Sequence, residues 1–187
     1  EYDRSFLMLS PDIAVITAID SDHLDIYGTK ENMVDAYRSF AGKVKQNGKL
    51  LIKKEISNEI GKMNSIPKAI TTLTYSAKSK ADFYSTGISV KNSRFNFCLH
   101  SVNSVIADID LNVPGRYNIE NAVAASAVAS LIGINEKQIK KALGTFTGVK
   151  RRFEYHLRNE NAILIDDYAH HPAELSAFIS AVLELYP

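Results

Sequence analysis

The run Ile13-Ala14-Val15-Ile16-Thr17-Ala18-Ile19, followed by Asp20-Ser21-Asp22-His23-Leu24-Asp25-Ile26-Tyr27-Gly28, decides the fold. A continuous apolar run of strand length suits a parallel strand covered on both faces, because neither face is left to water. The polar loop then falls past the carboxyl end of the strand, where open α/β sheets bind ligands. Thr29 can cap a helix that keeps Met33, Tyr37, Phe40 and Val44 on one face and ends at Asn47-Gly48. Lys49-Leu50-Leu51-Ile52-Lys53 supplies the next strand, which completes a βαβ unit.

Outward from this unit, a short helix is expected over Ser57 to Met63 and a further strand over Ala69 to Tyr75. The apolar period then becomes two. Asp82 to Val90, Arg94 to His100 and Ser104 to Leu111 read as three antiparallel strands, with turns at Lys91-Asn92-Ser93 and Val102-Asn103. Past Pro114-Gly115, Asn118 can cap a helix reaching about Ile132, whose many alanines permit close backbone approach. Gly133 ends it, and Asn135 with Gln138 forms a capping-box pattern for a helix lined by Ile139, Leu143 and Phe146. Thr147 to Lys150 reads as a linker. Arg152 to Leu157 and Ala162 to Ile165 then read as strands, and Leu175, Phe178, Ile179, Val182, Leu183 and Tyr186 recur on one helical face. The expected class is α/β: a mostly parallel sheet flanked by helices with an antiparallel three-stranded edge subdomain, followed by the first βα unit of a Rossmann-like domain. One strand and one helix cannot bury that last face alone, so the chain is expected to be a piece of a longer protein.

Bulk composition narrows the function classes. The 187 residues carry 22 basic and 21 acidic side chains, so charge gives no case for nucleic acid or an anionic membrane as partner. The single cysteine, Cys98, excludes an intramolecular disulfide and suits a reducing cytoplasm. No apolar run approaches the roughly 18 residues of a membrane span. Function must therefore be read from local stretches, and nothing in them sets an oligomeric state.

Four stretches carry chemistry. Carboxylates in Asp22-His23-Leu24-Asp25 can hold a hard cation that bridges phosphate oxygens, or simply cap nearby N–H groups in a solvated turn. Asn118 and Asn121 are three apart and share a helical face, where amides match the edge of an adenine ring. The alternative is that Asn118 caps the helix and Asn121 is merely exposed. Lys150-Arg151-Arg152 can clamp a polyphosphate or lie solvated. Asp166-Asp167-Tyr168-Ala169-His170-His171-Pro172 offers ribose-hydroxyl acceptors in Asp166 and Asp167 and anion or substrate contacts in the histidines, while Asp167 or His171 can equally cap the helix that Pro172 begins.

Taken in order, these stretches resemble the Mur ligases, the ATP-dependent amide ligases that build the peptide stem of the bacterial cell wall. Carrying the likeness are Glu1-Tyr2-Asp3-Arg4-Ser5-Phe6-Leu7, Ala14-Val15-Ile16-Thr17 leading to Asp22-His23-Leu24-Asp25, Pro114-Gly115-Arg116-Tyr117-Asn118 with Asn121-Ala122, Arg151-Arg152-Phe153, and Asp166 to Pro172. The resemblance implies roles by position. His23 would belong to a magnesium shell with a glutamate, for which Glu1 matches the second of two in the family wording. Asn118 and Asn121 would read adenine, Arg152 would face the phosphates of ATP, and Asp167 would accept from the ribose. His23 and Arg152 would thereby be the catalytic pair. Tyr117 stands where the family usually has histidine, and Ala41 stands where other branches carry a modifiable lysine, which fits the alanine-adding branch.

The implied reaction joins L-alanine to UDP-N-acetylmuramate through an acyl phosphate, in peptidoglycan precursor synthesis. A tripeptide-adding ligase of cell-wall recycling and a non-catalytic nucleotide-binding module remain alternatives. No Gly-x-x-x-x-Gly-Lys-Thr phosphate loop occurs in these residues. Residues 1–149 are therefore expected to be the later part of a central ATP-binding domain, and 150–187 a linker with the truncated start of a C-terminal ligase domain. The chain by itself is expected to be inactive.

Overall fold

The computed structural model describes residues 3–19, 24–61 and 69–186, so Glu1 and His23 lie outside the described residues. The chain divides into two compact units, Glu1–Phe83 and Tyr84–Pro187.

In the first unit, β1 (Ile13–Ile16), β2 (Lys49–Lys53) and β3 (Thr71–Ser76) pair side by side, all parallel, with Ile13 opposite Lys49 and Lys49 opposite Thr71. The apolar run that defines β1 is longer than the strand, because ladder pairing stops at Ile16 although Ile19 is still buried. A one-turn helix, α1 (Leu24–Tyr27), precedes α2 (Lys30–Ala41), whose Thr29 cap accepts from Asn32 N at 3.2 Å as its sequence position requires. Met33, Val34 and Ala36 on α2 are buried with Ala14, Ile16, Leu50 and Ile52 in one core, and Phe6, Tyr37 and Phe40 pack against it. The helix ends at Ala41, earlier than the apolar spacing to Val44 implies. Val44 is buried from the following loop instead, so burial continued the helical pattern after the helix had stopped. A short α3 (Ser57–Gly61) follows β2.

Gly48 is required where the loop re-enters β2. A Cβ there would stand 2.7 Å from the Lys45 carbonyl oxygen and 2.8 Å from that of Asp12, both backbone atoms that cannot swing aside. The same turn donates Gly48 N to Lys45 O at 2.8 Å and Lys49 N to Asp12 O at 2.9 Å.

Apart from its first residue, Phe83, the antiparallel meander of β4 (Phe83–Lys91), β5 (Arg94–His100) and β6 (Val105–Leu111) belongs to the second unit. Phe95, Phe97 and Leu99 on one face of β5 are buried, as are Ile106, Ile109 and Leu111 on β6. Against this meander lie α4 (Arg116–Leu131) and α5 (Glu136–Thr145). The α4 core face is Ile119, Ala122, Val123, Ser126 and Ala127, small enough to bring the helix close to its neighbours. Asn135 and Gln138 form the expected capping box of α5, with Asn135 Oδ1 accepting from Gln138 N at 3.0 Å. Ile139 is buried, but Phe146 lies past the helix end and is 50% exposed.

After an isolated bridge between Val149 and Arg152, β7 (Glu154–Arg158) and β8 (Ile163–Asp166) form an antiparallel ribbon, and α6 (Pro172–Leu185) closes the chain. The α6 face differs from the expected one. Ala181 and Leu185 are buried and Phe178 meets the Phe153 ring at 5.3 Å, whereas Leu175, Ile179 and Leu183 are 42%, 53% and 63% exposed. Among the described residues α6 packs on the ribbon and on α4, which cover one side of the apolar stripe and leave the other exposed. Among the described residues, no helix is long and apolar enough to cross a membrane.

Gly48→Ala is expected to destabilise the chain by about 1–3 kcal/mol, the usual cost of forcing atoms into filled space. A lower urea midpoint at unchanged m-value checks this; an unchanged midpoint would show that the turn can relax.

Candidate nucleotide site

The start of α4 is built around Gly115, whose φ of +98 is a conformation that side chains rarely adopt. A Cβ on Gly115 would lie 2.6 Å from Cε1 and 2.9 Å from Cζ of Tyr117, so the missing side chain is what lets the phenol ring lie against the turn. Gly115, not Asn118, holds the N-cap position. Asn118 is one turn inside, and its Nδ2 donates back to the Pro114 carbonyl oxygen at 2.6 Å. Its Oδ1 accepts from Asn121 Nδ2 at 3.3 Å. The two amides thus meet on one face, half-buried at Asn118 and exposed at Asn121. Arg116 in the same turn faces elsewhere, gripping Glu184 of α6 through Nε at 3.1 and 3.0 Å and Nη2 at 2.6 Å.

Asp167 follows directly after β8. Its Oδ2 accepts from Phe153 N and its Oδ1 from Ala169 N, each at 2.8 Å. It therefore fastens its own loop to the segment entering β7, and it does not cap α6. That role falls to His171, whose Nδ1 accepts from Ala173 N at 3.4 Å, with Glu174 completing the capping box. Glu174 accepts from His170 N at 3.2 Å and His171 N at 3.4 Å, and these donors, His170 first, hold its carboxyl below the ordinary range. The His170 ring donates from Nδ1 to the Tyr168 carbonyl oxygen at 2.9 Å. Both histidines are thus tied into the loop that carries them.

Arg152 places Nη1 3.6 Å from Glu174 Oε1, a long ion pair between half-exposed partners. Surface pairs of this kind contribute about 0–1 kcal/mol, so the guanidinium is available to a better anion. Its neighbour Arg151 has φ +59 and lies over the Tyr168 ring at 4.6 Å.

Tyr117 connects the two halves of the site. Burial pushes its phenol up to about 12, the nearby Asp167 carboxylate adds to the rise, and Arg152 opposes it. Asp167 and Arg152 therefore stand near one half-buried, neutral phenol, which lies in the same first turn of α4 as Asn118. Of the other residues offered by the sequence, Asp166 turns to His156, 3.7 Å away, and the Glu1 and His23 positions lie outside the described residues. Sequence reasoning missed Glu174 as the partner of Arg152. Its signal was present, because an acidic residue three positions after the His171 cap is the capping-box spacing.

The Mur ligase middle domain model matches residues 2–129 of this chain. A UDP-N-acetylmuramate–L-alanine ligase from Parabacteroides distasonis is 44% identical over 186 residues, covering 100% of this chain and 39% of that protein. The crystal structure of a UDP-N-acetylmuramate-alanine ligase from Thermotoga maritima superposes with a TM-score of 0.80 at 24% identity, over 98% of this chain and 40% of the other. A MurF ligase from Thermotoga maritima, solved in complex with ADP, superposes with a TM-score of 0.75 at 20% identity, over 95% and 40%. The chain spans about two fifths of the length of the curated relatives it matches, 39% in the first case.

Two outcomes follow from the geometry. Asp167→Ala strips two backbone N–H groups of their acceptor, one of them on buried Phe153, and is expected to cost at least about 3 kcal/mol in denaturant unfolding, from about 1.5 kcal/mol or more for each hydrogen bond to a charged group. Because the folded Tyr117 phenol ionises near 12 instead of 10.0, its share of stability is complete below pH 10 and is lost as pH rises through 12. Tyr117→Phe should accordingly flatten the alkaline fall in stability over that window, and an unaltered profile would place the phenol in water.

Proposed function

The chain belongs to the Mur ligase family, and from that premise we propose that it is part of an ATP-dependent ligase that joins L-alanine to UDP-N-acetylmuramate in peptidoglycan precursor synthesis. The names of the relatives that align over its whole length support this branch. The reaction would activate the muramate carboxylate as an acyl phosphate, which the amine of L-alanine then attacks. A cytoplasmic setting belongs to the same reading, since the nucleotide substrates are there.

The observation that carries the nucleotide reading is the paired amide at the start of α4. Asn118 is fixed by Pro114, and it fixes Asn121 in turn, so two donor–acceptor groups stand ready on one face before any ligand arrives. An adenine edge presents the complementary donor and acceptor. Asp167 keeps lone pairs beyond the two used by backbone N–H groups, enough to accept from ribose hydroxyls. Arg152 would exchange its long contact with Glu174 for a phosphate. His23 with Glu1 would complete a magnesium shell, a role proposed from resemblance alone; magnesium there would neutralise phosphate charge during transfer.

Residues 1–149 would then be the later part of the central ATP-binding domain, and 150–187 the linker and opening of the C-terminal ligase domain. Without a Gly-Lys-Thr phosphate loop, the 187 residues would bind the base and ribose but not turn over. Titration of the chain with ADP tests this reading. Asn121→Ala is expected to reduce the preference for ADP over GDP by about 1–3 kcal/mol, the discrimination one bidentate amide supplies. Equal binding of the two nucleotides by the unaltered chain, or ligase turnover by these residues alone, would contradict it.

A further inference from the structure

Outside the nucleotide site, three ligand-bearing side chains converge on the ribbon. Glu154 of β7 and Asp166 of β8 are directly opposite one another in the antiparallel register. Two like charges at such a position repel, and sheets normally avoid the pairing. Here the register shifts between Tyr155 and Leu157, and the extra residue is His156. Bulges re-aim a side chain, and the His156 Nε2 atom comes to 3.7 Å from Asp166 Oδ2 and 4.0 Å from Glu154 Oε2. One donor atom from each residue lies within 4.8 Å of the other two. Glu154 is further steadied by Arg151 N, which donates to Oε2 at 2.8 Å. The side chains are 30%, 50% and 42% exposed for Glu154, His156 and Asp166, so the group is open to an ion from water.

We propose that Glu154, His156 and Asp166 form a binding site for a divalent first-row transition ion, of which Zn2+ is the best match. One imidazole nitrogen and two carboxylate oxygens make a three-ligand set of the kind zinc accepts, with the remaining coordination supplied by water. Imidazole favours zinc over magnesium, which prefers oxygen alone and keeps its waters. Binding would draw the donors closer together, since ligands of one ion at about 2.0–2.2 Å lie nearer one another than these atoms do. Bound there, the ion would neutralise the opposed carboxylates and staple β7 to β8. That matters because a two-stranded ribbon has little stability of its own. The site is separate from the amide pair of α4 and does not depend on the nucleotide reading.

Calorimetric titration of the chain with Zn2+ in excess Mg2+ tests the site, with thermal unfolding as a second readout. The expected result is one Zn2+ per chain and a Tm that rises with Zn2+. His156→Ala and Asp166→Asn should each weaken binding by about tenfold or more, at least what loss of an outer-shell partner costs. Both positions are half-exposed, and circular dichroism of each variant verifies its fold. Absence of Zn2+ binding, or binding that survives both substitutions because His170 and His171 take the ion instead, would overturn the proposal.

Discussion

The carboxylate of Asp167 is the contact on which the second half of the molecule depends. Its two oxygens accept from Phe153 N and Ala169 N at 2.8 Å, joining the entry of β7 to the exit of β8. The backbone it holds is strained, with φ of +59 at Arg151 and +53 at Phe153. A left-handed residue other than glycine costs about 1–3 kcal/mol, and a hydrogen bond to a charged group contributes about 1.5–3 kcal/mol. Two such bonds against two such residues roughly balance. The strain is tolerated because this carboxylate and the burial of the Phe153 ring against Tyr155 and Phe178 oppose it together.

What that constraint achieves is position. Arg152 lies between the two left-handed residues, so the conformation that Asp167 secures is also the one that aims the Arg152 guanidinium. Tyr117 feels both groups, and its ring keeps its place because Gly115 has no side chain. The amides of Asn118 and Asn121 are held in a chain that begins at the Pro114 carbonyl. Asn118, Asn121 and Asp167 are thus each oriented by an internal hydrogen bond, so a ligand would meet these groups already arranged.

How far the sequence could be read follows from the same physics. β2 was legible to the residue, and so were the Thr29 cap, the Asn135–Gln138 box and the meander, because each rests on interactions within a few positions. Val44 misled, since burial from a loop imitates helical spacing. Asn118 misled differently: an asparagine near a helix start reads as a cap, but the turn needed a glycine at φ +98 and displaced the cap to Gly115. The grouping of Asn118 and Asn121 was local and could be read. The bond from Asp167 to Phe153 spans 14 residues and the grip of Arg116 on Glu184 spans 68, separations over which no spacing rule operates.

The α6 helix shows why periodicity alone could not finish the task. Its apolar positions make a stripe wider than one packing partner can cover, and the ribbon with α4 takes Phe178, Ala181 and Leu185. Leu175, Ile179 and Leu183 recur every four residues on the side left open, and Leu157, Ile163 and Leu164 of the ribbon are exposed as well. A sequence pattern records every surface a helix is selected to cover, whereas the fold of these residues reveals only the surfaces covered among themselves. The width of the stripe therefore carries information of its own. Phe178 against Phe153 accounts for the covered side of α6, whereas Leu175, Ile179 and Leu183 are apolar without being buried among the described residues, so periodicity marked more of the helix as core than this packing uses.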